Sequence, residues 1–416
     1  MSDGYLAALN AIVALAPTQP YEAVADLYIA LIGQQPQRPE AYQSLALYAC
    51  LCGQGPAAHY VIDEALVLPT GQARSHYIKA RICDEALDPR GATVHYEQAL
   101  ALEPDNPRWR FNLGLAQLTL GDFEPGTRNY RHRFNSEDLA ALASTPAWQP
   151  GQTGIQVLIW AEQGLGDELM FARLLPCLQA HACRFTLQCD QRLISTLQHN
   201  HSGLAFVPRG PLATLLPGFD AQLAIGDLMA LLHDQLGQPA VRLSVLKPVP
   251  RPDVVRQMAP GPGETRTRVG ISWLSMNAEY GAQRSVPLDR LLDAFLPTRH
   301  VLVNLQYLAP PEQLQAIRDR GFEWIDAVNA YDDVEGLAAL AAACDAIVSI
   351  DNSTLHLAGA LGLPTCALIP RLPNWRWQLD TPHSAWYPSL TLMRQAQPYD
   401  WTAEIEALRL RFSPSA

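Results

Sequence analysis

Lysine is nearly missing from this 416-residue chain: Lys79 and Lys247 are the only two. Any positive charge needed at a site in the C-terminal part must therefore come from arginine or a helix N-terminus. Basic runs are missing too, and with a net charge of −11 this argues against a nucleic-acid backbone or an anionic membrane surface as partner. No apolar run is long enough to span a bilayer. The N-terminus has none of the basic start, apolar stretch and small-residue cleavage site of a secretory signal, so a cytoplasmic protein without integral membrane association is expected. The eight cysteines (Cys50, Cys52, Cys83, Cys177, Cys183, Cys189, Cys344 and Cys366) include no C-x-x-C pair and sit in apolar stretches. Buried free thiols are expected of them, not disulfides or a metal site.

What is present is globular. The apolar fraction of 48% and charged fraction of 17% predict a chain folded throughout, and its length exceeds what one core organises, so two or three domains are expected. The first third repeats itself every thirty-four residues. Small residues recur at Ala46, Ala80 and Gly114 and at Ala58, Ala92 and Gly126; larger ones recur at Ile62, Tyr96 and Tyr130. Ala65 and Ala99 keep step, and Gly53 is matched by Gly121 at the turn between helices. Small positions let helices approach closely while larger ones fill the groove, and Pro36 and Pro104 punctuate helix ends. This resembles the tetratricopeptide repeat over about residues 5–134, with a degenerate first repeat and Thr70 where the consensus has proline. Such a module either only packs or presents a concave surface to an acceptor protein or a sister subunit, so a homo-oligomer is one of its expected forms.

From Asn135 to Gly154 the helical pattern stops and Pro146, Pro150, Gly151 and Gly154 accumulate, which predicts a linker at 135–154. Strand-length apolar runs at Gln156–Trp160, Phe185–Gln188, Leu204–Val207 and Ala221–Ile225 then alternate with helical segments, predicting one β-α lobe over 155–247. A Pro-rich stretch at 248–268 leads to a second alternating series over 269–416, with strands at Val269–Trp273, Val301–Gln306, Ala346–Ile350 and Thr365–Ile369. A closing helix at 401–412 is expected to pack back across the lobes. The default ligand site of two such lobes is the cleft outside the carboxyl ends of their strands.

Two constellations carry chemistry. In VLIWAEQGLGDELMFARLLP a strand runs through a glycine turn into a helix starting near Asp167. Gly164 and Gly166 allow a tight turn and close approach of a ligand, and the helix N-terminus favours an ionised carboxylate at Asp167, which as an alternative merely caps the helix. In AIVSIDNSTLHLAGALGLPTCALIP a strand ends at Ile350 and a helix follows. Asp351, Asn352, Ser353 and Thr354 stand where a phosphate or ribose would meet that helix, and His356 is in its first turn. Capping by Ser353 and a satisfied buried histidine are the bland alternatives; four polar groups and a histidine at one strand end exceed what capping needs.

The segment IDNSTLHLAGALGLP resembles the sugar-nucleotide motif of the heptosyltransferase family, and EQGLGDELMFARLLP resembles that family's N-terminal G-D motif. With the forward repeats, GISWLSMNAEYGAQRSVPL, the strand end NLQ at 304–306 and NWRWQLDTPHSAWYPS, the chain is similar over nearly its whole length to bacterial tetratricopeptide-repeat glycosyltransferases. The resemblance implies an α+α/β fold class: N-terminal helical repeats followed by a GT-B unit of two Rossmann-like α/β lobes. It also implies inverting, metal-independent transfer of a sugar from a nucleoside-diphosphate donor to a hydroxyl of a protein or glycan, with no cofactor beyond the nucleotide-sugar. By that resemblance Asp167 is the general base, while Asp351, Asn352, Ser353 and His356 lie near the donor sugar and diphosphate. The family motif has Asp-Thr where this chain has Asp351-Asn352, so phosphate contacts differ. Arg284 in QRSVPL stands in for the family's lysine, with bidentate reach to phosphate.

Other candidates stay open between two roles. Trp375, Arg376 and Trp377 either line the cleft or pack a lobe. Gln306 reads the nucleotide base or is a solvated loop residue. No D-x-D triplet occurs, which argues against a metal-bridged diphosphate. A nucleotide-sugar epimerase and a non-catalytic repeat scaffold with a nucleotide-sugar-binding module are the rival readings; neither accounts for repeats and motifs together better than a transferase.

Overall fold

The computed structural model describes residues 2–134, 140, 142–230 and 244–413. It divides into two compact units, Met1–Arg133 and Phe134–Ala416.

The first unit is a row of eight helices: α1 Ser2–Leu15, α2 Tyr21–Gln34, α3 Pro39–Leu51, α4 Gly55–Leu66, α5 Gln72–Glu85, α6 Pro89–Leu102, α7 Pro107–Leu120 and α8 Phe123–Tyr130. Proline stands in the first turn of α3, α4, α6 and α7, where its missing N–H costs nothing. The repeating columns are the packing columns. Ala46, Ala80, Ala58, Ala92, Ala65, Ala99, Ile62 and Tyr96 are fully buried, and Tyr130 nearly so. A Cβ on Gly114 would lie 2.7 Å from the Tyr130 amide nitrogen, which is why the third repeat needs glycine where the others have alanine. The turn column Gly53 and Gly121 has φ of 74° and 84°, and the middle repeat puts Leu87 there at φ 61°. The degenerate first repeat still forms a helix pair, with Tyr5, Leu9 and Ile12 packed on Val24, Tyr28 and Leu31. The start of α5, where Thr70 breaks the proline pattern, is set by Gly71 at φ 71°.

Among the described residues the second unit holds two all-parallel sheets. The first has four strands in the order β3-β2-β1-β4, with β1 Gln156–Trp160, β2 Arg184–Cys189, β3 Ala205–Pro208 and β4 Ala221–Ala224. The second has six in the order β10-β9-β8-β5-β6-β7: β5 Thr267–Ser272, β6 His300–Asn304, β7 Glu323–Ile325, β8 Ala346–Ile350, β9 Thr365–Ile369 and β10 Leu390–Arg394. Val157 stands opposite both Phe185 and Ala221, and Gly270 opposite Val303 and Ile347. Strands such as VLIW and HVLVN are buried on both faces, as parallel sheets require. The helices that matter below are α9 Leu165–Ala172, α10 Ile194–Asn200, α11 Pro311–Asp319, α12 Val334–Ala342, α13 Ser353–Ala360 and α14 Thr402–Phe412.

Several expectations need correction. The stretch 135–154 is no plain linker: residues 135–139 and 141 lie outside the described residues, but Ala147 bridges to Gln222 on the edge of β4, and the fully buried Trp148 packs edge-on against Phe185. Among the described residues the closing helix packs on the second sheet's core, where Trp401, Ile405 and Leu408 join Val269, Ile271, Val348 and Leu368. β7 and β10 depart from the expected series; β7 is only three residues long, with Glu323 exposed and Trp324 and Ile325 half-buried, and β10 reads LTLMR, with neither full alternation nor a full apolar run. All eight cysteines are free, but only Cys83, Cys189 and Cys366 are buried and Cys52 is exposed. No helix among the described residues is long and apolar enough to cross a membrane.

Candidate functional site

β1 ends at Trp160, and the chain turns through Gln163, which holds a left-handed φ of 59°. Gly164 caps α9, and its N–H donates to Asp167 Oδ2 at 3.3 Å. Asp167 thus sits in the first turn of α9, where the helix dipole favours its charge. Its acidic neighbours are committed elsewhere. Glu168 is buried; its Oε2 accepts from the Asp190 amide at 2.7 Å and its Oε1 from Arg209 Nε at 2.6 Å. Burial pushes the Glu168 carboxyl up, outweighing the Asp190 amide and the Arg209 charge. Glu162 accepts from the Gly226 amide at 2.9 Å. Asp167 alone of the three lines the pocket, where it forms an ion pair with Arg376 Nη2.

The opposite wall grows from the carboxyl end of β8. Asn352 caps α13 through Oδ1, which accepts from the Leu355 amide at 3.2 Å, and its Nδ2 donates to Ser272 Oγ at 2.7 Å. Thr354 Oγ1 donates to the Leu305 carbonyl at 2.9 Å. Asp351 is buried and its Oδ2 lies 3.3 Å from Arg284 Nε. Ser353 is half-buried at the helix start and bonds the Tyr307 phenol, whose acidity is weakened chiefly by burial. His356 is buried, its Nδ1 is 2.9 Å from the Tyr387 hydroxyl, and its ring lies 5.2 Å from that of Trp377. Burial pulls its imidazole down to about 4, against the attraction of Asp351. At neutral pH it is therefore an uncharged ring in the wall, not a cation.

These groups share one pocket of about 480 Å³ at the carboxyl ends of both sheets. Gly164, Gly166 and Asp167 line it from the first lobe; Arg284, Asp351, Asn352, Ser353, Thr354, His356 and Arg376 line it from the second. Three candidates are not in its wall. Gln306 is buried, and its amide holds the loop after β5: Oε1 accepts from the amides of Trp273 at 2.9 Å and Leu274 at 2.8 Å, and Nε2 donates to the Tyr307 carbonyl at 2.7 Å. A side chain so committed neither reads a base nor faces solvent. Trp375 and Trp377 are buried packing residues, Trp375 against Trp386 and Trp377 against His356 and Tyr387; of the triplet only Arg376 reaches the pocket.

Sequence reasoning missed Gln163, Arg192, Tyr280, Tyr307, Tyr331, Val334 and Leu337, which also line it. Tyr280 stands inside the segment GISWLSMNAEYGAQRSVPL and had a signal. Arg192 and Tyr331 had none: the first lies just before α10 and the second just before α12, and they meet only because Arg192 Nη1 donates to the Tyr331 carbonyl at 2.8 Å across the lobes. Each arginine of the pocket faces a carboxylate: Arg192 that of Asp190, Arg284 that of Asp351, Arg376 that of Asp167. No group of three or more His, Cys, Asp and Glu suited to a metal occurs among the described residues. The arrangement offers the Asp167 carboxylate on the first lobe opposite a helix N-terminus, arginines and the Arg284-paired Asp351 on the second, a layout suited to moving a proton on one side of a ligand and holding an anion on the other.

By fold, then, the chain joins helical-hairpin repeats to a two-lobed α/β unit with its pocket between the lobes of that unit. No family model matches it. It is 27% identical over 397 residues to Protein FlbA of Caulobacter vibrioides, covering 87% of this chain and 65% of that one; the chain thus spans about two thirds of the length of the curated relative it matches. Among solved structures it is similar to Escherichia coli ADP-heptose lps heptosyltransferase II, at 16% identity and a TM-score of 0.46 over 62% of this chain and 99% of that one. It is also similar to a Thermobaculum terrenum O-GlcNAc transferase mutant, at 16% identity and a TM-score of 0.31 over 99% and 93% of the two chains. A third likeness is to MamA protein, at 17% identity and a TM-score of 0.28 over 32% and 72%.

Proposed function

We propose that this protein is a glycosyltransferase of the GT-B type that moves a sugar from a nucleoside-diphosphate donor to a hydroxyl of a protein or glycan, with inversion and without a metal ion. The observation that carries the reading is Asp167, a carboxylate at the carboxyl end of β1 that faces the same pocket as the β8–α13 turn and Arg284. Inverting transfer needs a base on the acceptor side and positive charge on the leaving-group side. Asp167 takes the proton of the acceptor hydroxyl. The free N–H groups at the start of α13, with Arg284, hold the diphosphate, and the neutral His356 fills the wall between them. Asn352 serves by capping α13 and tying it to Ser272, and so acts on the donor through the backbone it positions. Closure of the lobes over the donor keeps water from the sugar. The repeat unit, with its columns of packed helix pairs, selects the acceptor.

A thermal-shift screen of the full chain against ADP-, GDP-, UDP-, CMP- and dTDP-linked sugars tests the reading. A true donor at a hundredfold its dissociation constant stabilises by roughly 2.7 kcal/mol, and one class should stand out. Stabilisation by none of them, in EDTA or in magnesium, removes the transferase reading in favour of a repeat scaffold.

A further inference from the structure

The cation assigned to the leaving group is already neutralised. Arg284 faces Asp351, whose side chain is only 5% exposed and therefore poorly screened. A compensated pair adds little net attraction for a dianion. Arg192, on another wall, is bound to Asp190 through Nε at 2.9 Å and Nη2 at 2.7 Å. With Arg284 and Arg192 both compensated, further fixed positive charge for a departing diphosphate has to come from another group.

Arg376 is that group. It is buried, lines the pocket and reaches from the second lobe to Asp167 on the first. The Asp167 pair differs from the Asp351 pair in two ways that matter. Asp167 is the more exposed carboxylate, at 16% against 5%, so it can be solvated when its partner leaves. Its Oδ2 also keeps the Gly164 amide, and Arg376 Nη2 makes a second bond to the uncharged Gln163 Oε1 at 2.9 Å. The conflict is chemical: a carboxylate paired with a guanidinium is a weak base, and the proposed reaction needs a strong one.

We propose that Arg376 is a catalytic residue of the transfer proposed above, on which this inference rests: it pairs with Asp167 while the donor is absent and passes to the donor's diphosphate when it binds. The one move supplies the leaving-group cation and frees the base. The acceptor hydroxyl then gives its proton to Asp167 as its oxygen bonds to the anomeric carbon. The bond from that carbon to the diphosphate oxygen breaks, and its electron pair leaves on the nucleoside diphosphate, held by Arg376. Because the base is free only once the donor is in place, proton transfer from an acceptor waits for the donor.

The test is calorimetric titration of the full chain with ADP, GDP, UDP, CDP and dTDP in EDTA, comparing wild type, Asp167→Asn, Arg376→Gln, Arg376→Lys and the Asp167→Asn/Arg376→Gln double variant. Asp167→Asn releases Arg376 and should tighten the diphosphate about fivefold, the equivalent of a modest ion pair. Arg376→Gln should weaken it about tenfold or more, Arg376→Lys should retain most of the affinity, and in the Arg376→Gln background Asp167→Asn should change nothing. Failure of Asp167→Asn to tighten the diphosphate counts against the exchange even if Arg376→Gln does not fold, since Asn can still accept from the Gly164 amide. If a diphosphate binds wild type and Asp167→Asn does not tighten it, Arg376 is only a strut and the exchange is wrong. If none of the five binds wild type, the transferase reading falls and takes the exchange with it.

Discussion

Gly166 and His356 meet across the lobes so closely that a Cβ on Gly166 would lie 2.6 Å from Cδ2 of the imidazole. The ring cannot retreat: it is buried, hydrogen-bonded to Tyr387 and set against Trp377. Gly166→Ala should therefore destabilise the second unit by about 1–3 kcal/mol despite alanine's better helix propensity, as overpacking of a closed site does. Chemical denaturation together with nucleotide-sugar binding measures it. A Gly166→Ala protein as stable as wild type would mean that α9 and α13 can part freely.

Asp167→Asn should fold normally, since the helix cap to Gly164 survives, and its turnover with saturating donor should fall on the order of a hundredfold or more. Turnover of the wild type should be unchanged by EDTA, because the proposed charges on the leaving group are those of arginines and a helix N-terminus. Near-normal turnover in Asp167→Asn would assign the base to another group, and loss of activity in EDTA restored by magnesium would reassign the diphosphate site.

In the repeat unit, burial pushes the Asp84 carboxyl up to about 7 from its ordinary 3.8, in spite of the Tyr96 hydroxyl at 2.6 Å and the nearby Arg81 charge. Between these values the folded protein keeps a proton that the unfolded chain has released. The stability is thus fully present below about pH 4 and is lost as pH rises through about 7. Amide hydrogen exchange of α5 and α6 at pH 5 and pH 8, corrected for intrinsic rates, should show weaker protection at the higher pH, and Asp84→Asn should abolish the difference. An equal difference in the variant would place the titrating group elsewhere.

Gly53 and Gly55 are two residues apart and both have open space where a Cβ would go, but only Gly53 has a positive φ, 74°. Gly53→Ala should cost about 1 kcal/mol from the left-handed backbone, whereas Gly55→Ala at the start of α4 should be neutral or stabilise by a few tenths to 1 kcal/mol. Thermal melts of the two single variants compare them directly. Leu87, at φ 61° in the same column, shows that a side chain is accommodated there.

Short-range rules are what the linear chain makes legible. The thirty-four-residue columns Ala46/Ala80/Gly114 and Ile62/Tyr96/Tyr130 mark buried helix faces because close approach and groove filling demand one residue size at one position in every repeat. The strands at Gln156–Trp160, Ala346–Ile350 and Thr365–Ile369 were legible to the residue because a parallel strand buried on both faces reads as a nearly continuous apolar run. The glycine turn before Asp167 and the polar cluster after Ile350 could be read because strand end, turn and helix start follow one another along the chain. Which of these side chains remain available depends on contacts between distant parts of the chain. Gln306 looked free at a strand end but is spent on the amides of Trp273 and Leu274. Trp375 and Trp377 could line a cleft but pack the lobe, while Arg376 between them turns to Asp167, 209 residues earlier in the chain. Whether a polar group serves the fold or a ligand depends on which donors and acceptors the other lobe brings within about 3 Å, and that pairing is made across chain separations to which no local pattern extends.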